Sequence, residues 1–301
     1  MAAILIHCIA LFGLPPLLLG VINRTKAFFA GRRGPPLLQV YSDIWKLLRK
    51  GLVVSFTTTW VFIAAPVVMV CTTALAGVLV PLGAGTAPLS FAGDMVLFAY
   101  LFALGRFFTT LAALDTGSSF EGMGAAREAT FACLTEPALF LAFLALARIS
   151  GTFELTGMLH GTHYGANGMT APLALVAASL FVVLLAENCR IPVDDPNTHL
   201  ELTMIHEVMV LDHSGPLLGL ILYGAAMKLF VIGALFVQVV LLMVPDRWEF
   251  GGVAFALLLC GVGVLVGAVE SAMARLQMRH VPHLLIGAIM LAGFGVILLV
   301  R

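Results

Sequence analysis

The sequence predicts an all-α integral membrane protein of about eight transmembrane helices, with amphipathic helices in its cytoplasmic loops. Composition, the lengths of the apolar runs and the placement of lysine and arginine predict it. Of 301 residues, 61% are hydrophobic and 11% charged, whereas an ordinary soluble domain carries about 25% charged residues. A soluble fold of this size cannot hide so much apolar surface. A helix that crosses the hydrocarbon needs about 20 apolar residues. Eight runs qualify, at roughly 2–22, 56–82, 88–113, 129–149, 171–188, 216–243, 250–270 and 282–300. The chain therefore reads as one polytopic membrane domain, 1–301.

Orientation follows from the basic residues, which favour the cytoplasmic side. The first loop holds Arg24, Lys26, Arg32, Arg33, Lys46, Arg49 and Lys50. Loops on the same side add Arg127, Arg190, Arg275 and Arg279, whereas the opposite side has little beyond Arg148, Arg247 and Arg301. The cytoplasmic loops then fall at about 23–55, 114–128, 189–215 and 271–281, and with eight spans both termini lie outside. The first run begins almost at Met1 without a basic n-region or a small-residue cleavage site, so it reads as a retained helix. The net charge of zero gives no basic excess for nucleic acid. Cys8, Cys71, Cys133, Cys189 and Cys260 are scattered with no C-x-x-C pair, which reads as small core residues rather than a metal site in this chain. No internal repeat stands out of the kind that builds many transporters.

Loop one opens with Gly31-Arg32-Arg33-Gly34-Pro35-Pro36, a tight non-helical turn. An amphipathic helix over about 37–50 follows, with Leu37, Val40, Ile44, Leu47 and Leu48 on one face. It is either an interfacial anchor or a docking surface for a soluble subunit. Loop three is rich in glycine and leads into a span that contains Glu136-Pro137. A carboxylate at that depth costs some 2.5–3.5 kcal/mol on insertion scales. Glu136 reads either as a group that exchanges a proton or as the cap of a turn distorted by Pro137.

Loop five packs acids, histidines and prolines between two apolar runs. Glu187 ends a span, and Arg190 is placed to pair with it if the helix continues. Asp195-Pro196 reads as an N-cap with proline at N1, so a helix is expected from there to about Leu211. Its apolar residues point in nearly all directions, as in a helix buried in protein. Such a helix carries His199, Glu201, His206 and Glu207 to a low-dielectric place, where coupled groups suit proton relay or electrostatic switching. The His206-Glu207 pair lacks the second histidine of the zincin pattern, since position 210 is Val210. Lys228 sits inside the sixth run, either snorkelling to the edge or meeting a buried carboxylate. Glu270 ends the seventh run, either as an interfacial helix-end residue or as a functional acid.

Three blocks in order resemble the complex I membrane subunit that joins the hydrophilic arm to the membrane arm, the NADH dehydrogenase subunit 1 or NuoH family. The first is Arg32-Arg33-Gly34-Pro35 with Leu38-Gln39, Asp43 and Lys46-Leu47; the second is Gly124-Ala125-Ala126-Arg127 with Glu136 nine residues on. The third is Ala186-Glu187, Arg190, Pro192, Asp194, Glu201-Leu202 and Ser214-Gly215. The chain departs from the quinone-reducing form: Asn197 and His199 stand where acids are usual, Thr135 replaces a tyrosine, and three extra residues lie between Leu202 and Asp212. The wording from Arg190 to Glu207 looks closest to the membrane subunit of energy-converting nickel–iron hydrogenases, a group that includes hydrogenase-4 and formate hydrogenlyase.

That resemblance implies a non-catalytic core subunit that anchors a soluble redox arm and links electron transfer to proton translocation in a bacterial or archaeal cytoplasmic membrane. Glu136, Glu187, Asp194, Glu201 and Glu207 become the coupling acids, with His199 and His206 beside them. Arg127 and Arg190 hold the acids, and Lys228 passes charge changes on to antiporter-like membrane subunits. Arg32, Arg33, Asp43 and Lys46 dock the soluble arm. The implied partners are hydrogenase large and small subunits and an iron–sulfur subunit, which carry the nickel–iron centre and the clusters. The rival readings are a quinone-site subunit of NADH:quinone oxidoreductase, a stand-alone ion transporter, and a scaffold with no proton role.

Overall fold

Backbone amides and carbonyls inside a bilayer must be satisfied within their own segment, which leaves the helix as the element open to each apolar run. The computed structural model describes residues 2–83, 85–160, 169–195, 204–243 and 251–300, and these contain helices and irregular segments but no strand. The described α-helices are α1 (Ala2–Gly13), α2 (Pro15–Phe29), α3 (Gln39–Leu48), α4 (Trp60–Leu79), α5 (Asp94–Asp115), α6 (Ser119–Ser150), α7 (Leu155–Leu159), α8 (Thr170–Glu187), α9 (Gly215–Leu241), α10 (Gly251–Ala272) and α11 (Val281–Val300). Seven of them are long and apolar enough to cross a membrane singly: α4, α5, α6, α8, α9, α10 and α11. The pair α1 and α2 makes an eighth, bent by 46°. All eight expected runs are therefore helical.

The bend in the first span has a covalent cause. Pro15 and Pro16 have no amide hydrogen, so the carbonyls one turn earlier lose their helical donors. The Tyr223 hydroxyl takes the place of the missing Pro16 amide and donates to the Phe12 carbonyl at 2.8 Å, and the Tyr41 hydroxyl donates to the adjacent Gly13 carbonyl. The break is thus tied to α9 by one tyrosine and to α3 by the other.

Helix α9 is the axis of the bundle, with 67% of its apolar window buried. It packs against α4, α8, α2 and α10 in the membrane layer and carries α3 across its first turns. Phe98, Phe143, Leu180, Phe230 and Leu235 fill the main core. Helix α3 covers the amphipathic stretch read from the sequence, with Ile44 buried and Trp45 exposed. Gly219 of α9 lies under Leu47 and Leu48, so the absence of a side chain there lets α3 seat.

Loops one, three, five and seven gather at one end of the bundle. Ser214 Oγ donates to the Val53 carbonyl at 2.8 Å, the Thr59 amide donates to Asp115, and the Leu276 amide donates to the Pro192 carbonyl. Loops two and four meet at the other end, where Asp94 accepts from the Leu155 amide at 2.7 Å and the Gly93 amide donates to the Phe153 carbonyl.

Two expectations are corrected. The segment expected as loop three is helical from Ser119, because α6 is 32 residues long and spans about 48 Å at 1.5 Å per residue. Its first turns project beyond the ~30 Å hydrocarbon layer and bear on loop five, where Gly124 contacts Ile205, Val208 and Met209. The helix expected from Asp195 to Leu211 is not formed over its described part. Residues 196–203 lie outside the described residues, and Met204–Leu211 contains only a 3-10 turn, Glu207–Val210. Side chains take three of the amides in and just after this stretch: Asp194 accepts from Ile205 and His206, and Glu121 accepts from Asp212. The expected burial holds for Met204, Ile205, Val208, Met209 and Val210, whereas Leu211 is 49% exposed.

Gly20 of α2 sets the approach of loop one, because a Cβ there would fall 2.2 Å from the Leu37 carbonyl oxygen. Backbone cannot yield as a side chain does, so Gly20→Ala is expected to lift the start of α3 and cost about 1–3 kcal/mol. Loss of thermal stability with a shifted Trp45 fluorescence would record it; an unchanged melting temperature would refute the close approach.

Candidate functional site

Four helices, α5, α6, α8 and α9, bring charged side chains to one place. Arg106 of α5 lies 3.3 Å from Glu136 of α6, 3.4 Å from Glu187 of α8 and 4.0 Å from Glu128 of α6. Lys228, midway along α9, lies 2.7 Å from the other oxygen of Glu187. Lys228 therefore meets a buried carboxylate rather than snorkelling. Thr72 of α4 lies against Gly105, where a side chain would close to 2.8 Å, so α5 presses on α4 while Arg106 turns inward. The group contains three carboxylates, Glu128, Glu136 and Glu187, and two cations, Arg106 and Lys228. Fully ionised it carries one negative charge, and one bound proton neutralises it. A cavity of about 30 Å³ lies among Arg106, Glu128, Glu187, His206 and Lys228, large enough for a water molecule. Glu187 is 8% exposed, whereas Glu136 is 40% exposed.

Loop five is held onto this cluster by carboxylates. Asp194, 1% exposed, accepts from the amides of Ile205 at 2.9 Å and His206 at 3.4 Å and pairs with Arg275 at 2.9 Å. Arg127 of α6 donates to the Met204 carbonyl at 2.7 Å. Glu121, also of α6 and fully buried, accepts from the Asp212 amide at 3.1 Å. His213 stacks on Phe62, with ring centroids 3.9 Å apart, and burial pushes its imidazole below the ordinary histidine range. A second cavity, of about 130 Å³, lies under the loop against Arg190, Asp194, His206 and Glu207.

Glu187 and Arg190 do not pair. Helix α8 ends at Glu187, and Cys189 takes the left-handed region at φ 48°, so the chain turns before Arg190. Arg190 reaches Glu270 instead, at 3.3 Å, and Lys26 meets the same carboxylate at 2.7 Å. Glu270 is thus a buried acid held by two cations, not a free helix-end residue at the interface.

Of the residues singled out from the sequence, Glu136, Glu187 and Lys228 belong to the central cluster, and Asp194, His206, Glu207 and Arg127 belong to loop five or its support. His199 and Glu201 lie outside the described residues. Arg32 and Arg33 line an open groove of about 490 Å³ beside Lys26 and Glu270, at the loop-one end. Asp43 and Lys46 lie on the exposed side of α3, 3.8 Å apart. Sequence reasoning does not single out Arg106, Glu128 or Glu121. A signal for Arg106 exists, since an arginine inside an apolar run carries the same cost that draws attention to Glu136. Among the cysteines, Cys189 is buried, whereas Cys71, Cys133 and Cys260 face outward, which corrects their reading as core residues. No three histidine, cysteine, aspartate or glutamate side chains converge as a metal-binding group among the described residues.

The family model described as NADH dehydrogenase matches residues 1–301. The chain is 32% identical to formate hydrogenlyase subunit 4 of Escherichia coli K12, over 97% of this chain and 94% of that protein. It is 34% identical to hydrogenase-4 component C of the same organism, over 79% of this chain and 74% of that protein. The NuoH-type subunit of NADH-quinone oxidoreductase from Anaplasma phagocytophilum is 27% identical, over 84% of this chain and 86% of that protein. Among solved structures, a chain of an archaeal respiratory membrane complex, the membrane-bound sulfane sulfur reductase, superposes with a TM-score of 0.81 at 22% identity, covering 99% of this chain and 98% of that one. That likeness shows the fold.

The geometry makes Arg106 the keystone of the cluster. Its removal takes the pairing cation from Glu128 and Glu136 and leaves Glu187 with Lys228 alone, and breaking a buried ion pair from one side costs about 3–5 kcal/mol. Arg106→Gln is expected to lower thermal stability of the assembled protein by that order, and Arg106→Gln combined with Glu187→Gln to recover part of it. Additive losses in the double variant would show that the two side chains do not interact.

Proposed function

The chain belongs to the NADH dehydrogenase family that includes the NuoH-type subunit of NADH-quinone oxidoreductase, and from that premise we propose that it is the anchoring and ion-coupling membrane subunit of a nickel–iron hydrogenase or formate hydrogenlyase-type complex. The observation that carries the reading is the cluster of Glu128, Glu136 and Glu187 with Arg106 and Lys228, buried except at Glu136 and one proton short of neutrality, lying directly beneath loop five. The choice of the hydrogenase branch is supported by the formate hydrogenlyase and hydrogenase-4 relatives, at 32% and 34% identity against 27% for the NADH-quinone oxidoreductase relative.

In this reading loops one, three and five face the cytoplasm of a bacterium or archaeon and seat the soluble arm, with Arg32, Arg33, Asp43 and Lys46 at the contact. Hydrogenase large and small subunits and an iron–sulfur subunit carry the nickel–iron centre and the clusters, and antiporter-like membrane subunits lie alongside. Redox events in the arm alter the charge near loop five, and the coupled acids Asp194, Glu201, Glu207, Glu187 and Glu136 respond by changing protonation. His199 and His206 stand within the same segment, and Arg127 and Arg190 hold its shape. A charge change at one end of such a network biases a membrane element between two states.

The test has two parts. The tagged chain, purified gently from native membranes, is expected to bring with it a hydrogenase large subunit together with nickel and iron. Flavin and NADH-oxidising subunits without nickel would replace this reading with a complex I subunit, and a lone chain that transports ions in liposomes would replace it with a transporter. In the intact complex, Glu136→Gln and Glu201→Gln are expected to assemble and transfer electrons but to lose ion translocation. Wild-type translocation in both variants would remove the proton role of these acids.

A further inference from the structure

The cavity within the central cluster and the cavity under loop five have one lining residue in common, His206. On the inner side stand Arg106 of α5, Glu128 of α6, Glu187 of α8 and Lys228 of α9. On the loop side stand Asp194, Glu207 and Arg190. Each cavity is large enough for a water, given the ~10–15 Å³ that one requires, and His206 borders both. We infer that His206 is the proton relay that joins the loop-five cavity to the buried carboxylate cluster. The inference rests on the ion-coupling reading above and names the step by which protons reach the cluster.

An imidazole suits this place because its two nitrogens exchange roles. A proton from the loop-five side is accepted on one ring nitrogen, and the proton on the other nitrogen passes to Glu128 or Glu187. The ring is neutral before and after, and the cluster gains the proton that balances its three acids against two cations. Rotation of the ring then restores the first tautomer without returning the proton. The backbone holds the ring in position: the His206 amide donates to Asp194 at 3.4 Å, and its carbonyl accepts from the Met209 amide at 3.0 Å. Burial pushes the imidazole below its ordinary pKa, the Glu207 carboxylate opposes this, Lys228 adds to it and Asp194 opposes it. A neutral ring is the form that accepts a proton.

The test uses the intact complex in proteoliposomes, with electron transfer, ion translocation and infrared-detected deuterium exchange into the buried carboxylic acid measured in parallel. His206→Gln keeps the approximate size and the polar contacts but cannot relay. It is expected to transfer electrons at close to the wild-type rate, while translocation and deuterium exchange both slow by about a hundredfold, the scale of a lost acid–base group. Added imidazole is expected to restore exchange in His206→Ala, which guards against a packing defect in either variant. Wild-type exchange in His206→Gln, or no imidazole rescue in an assembled His206→Ala complex, would overturn the relay. A wild-type complex that transfers electrons without translocating ions would instead remove the coupling reading, and the exchange measurement would still decide whether His206 admits protons to the cluster.

Discussion

A charge midway along an apolar helix has to be met by an opposite charge from another helix, and in this chain that requirement converges on Glu187. One of its oxygens faces Lys228 of α9 and the other faces Arg106 of α5. Arg106 in turn reaches Glu136 and Glu128 on α6. Four helices are thereby locked in rotation about their own axes, since turning any one would strand a charge whose desolvation costs several kcal/mol. The apolar core around Phe98, Phe143 and Phe230 brings these helices together, but apolar contact alone is tolerant of sliding. The ion pairs specify the register.

Loop five depends on that register. Its buried segment Met204–Leu211 holds a 3-10 turn and no α-helix, and carboxylates take two of its amides and that of the residue after it. Asp194 takes two of them while held by Arg275, and Glu121, set in the first turns of α6, takes the amide of Asp212. Arg127, further along the same helix, holds the Met204 carbonyl. Helix α6 therefore serves loop five with Glu121 and Arg127 and serves the membrane cluster with Glu128 and Glu136. It is the rigid element common to both.

Most of the helical layout is legible in the sequence, because a run of twenty apolar residues has one solution in lipid. The amphipathic α3 is legible from its leucine and isoleucine spacing. The bend at Pro15-Pro16 is written in the residues, but the tyrosines that satisfy it come from α3 and α9, 28 and 211 residues away from their acceptors. Long-range choices of partner are the part that local reasoning does not reach. Arg190 is near Glu187 in sequence, yet a left-handed Cys189 sends it to Glu270. Local helix signals at Asp195-Pro196 do not reveal that Asp194 captures the amides of Ile205 and His206 or that Glu121 captures that of Asp212. Arg106 escapes notice for a different reason: it lies in an otherwise uniform apolar run, where the eye follows the hydrophobic period and passes over a single cation.

The same arrangement explains how a small change at the loop reaches the membrane interior. Two unit charges about 4 Å apart interact by about 4 kcal/mol at an effective dielectric constant of 20. The separations between Lys228, Glu187, Arg106 and Glu136 are all 3.4 Å or less, so each charge in that series feels the next on this scale. With Glu128 added the cluster has three acids against two cations, so it has no state in which every group is ionised and the total is zero. Either a proton is bound or a negative charge is left in a low-dielectric place, and the free-energy difference between those states is set by the charges nearby. Asp194, Glu207 and Arg190 border the adjoining cavity. A charge that appears or vanishes beside them shifts the balance within the cluster without any helix having to move first, and side-chain protonation then becomes the variable that links the loop to the bundle.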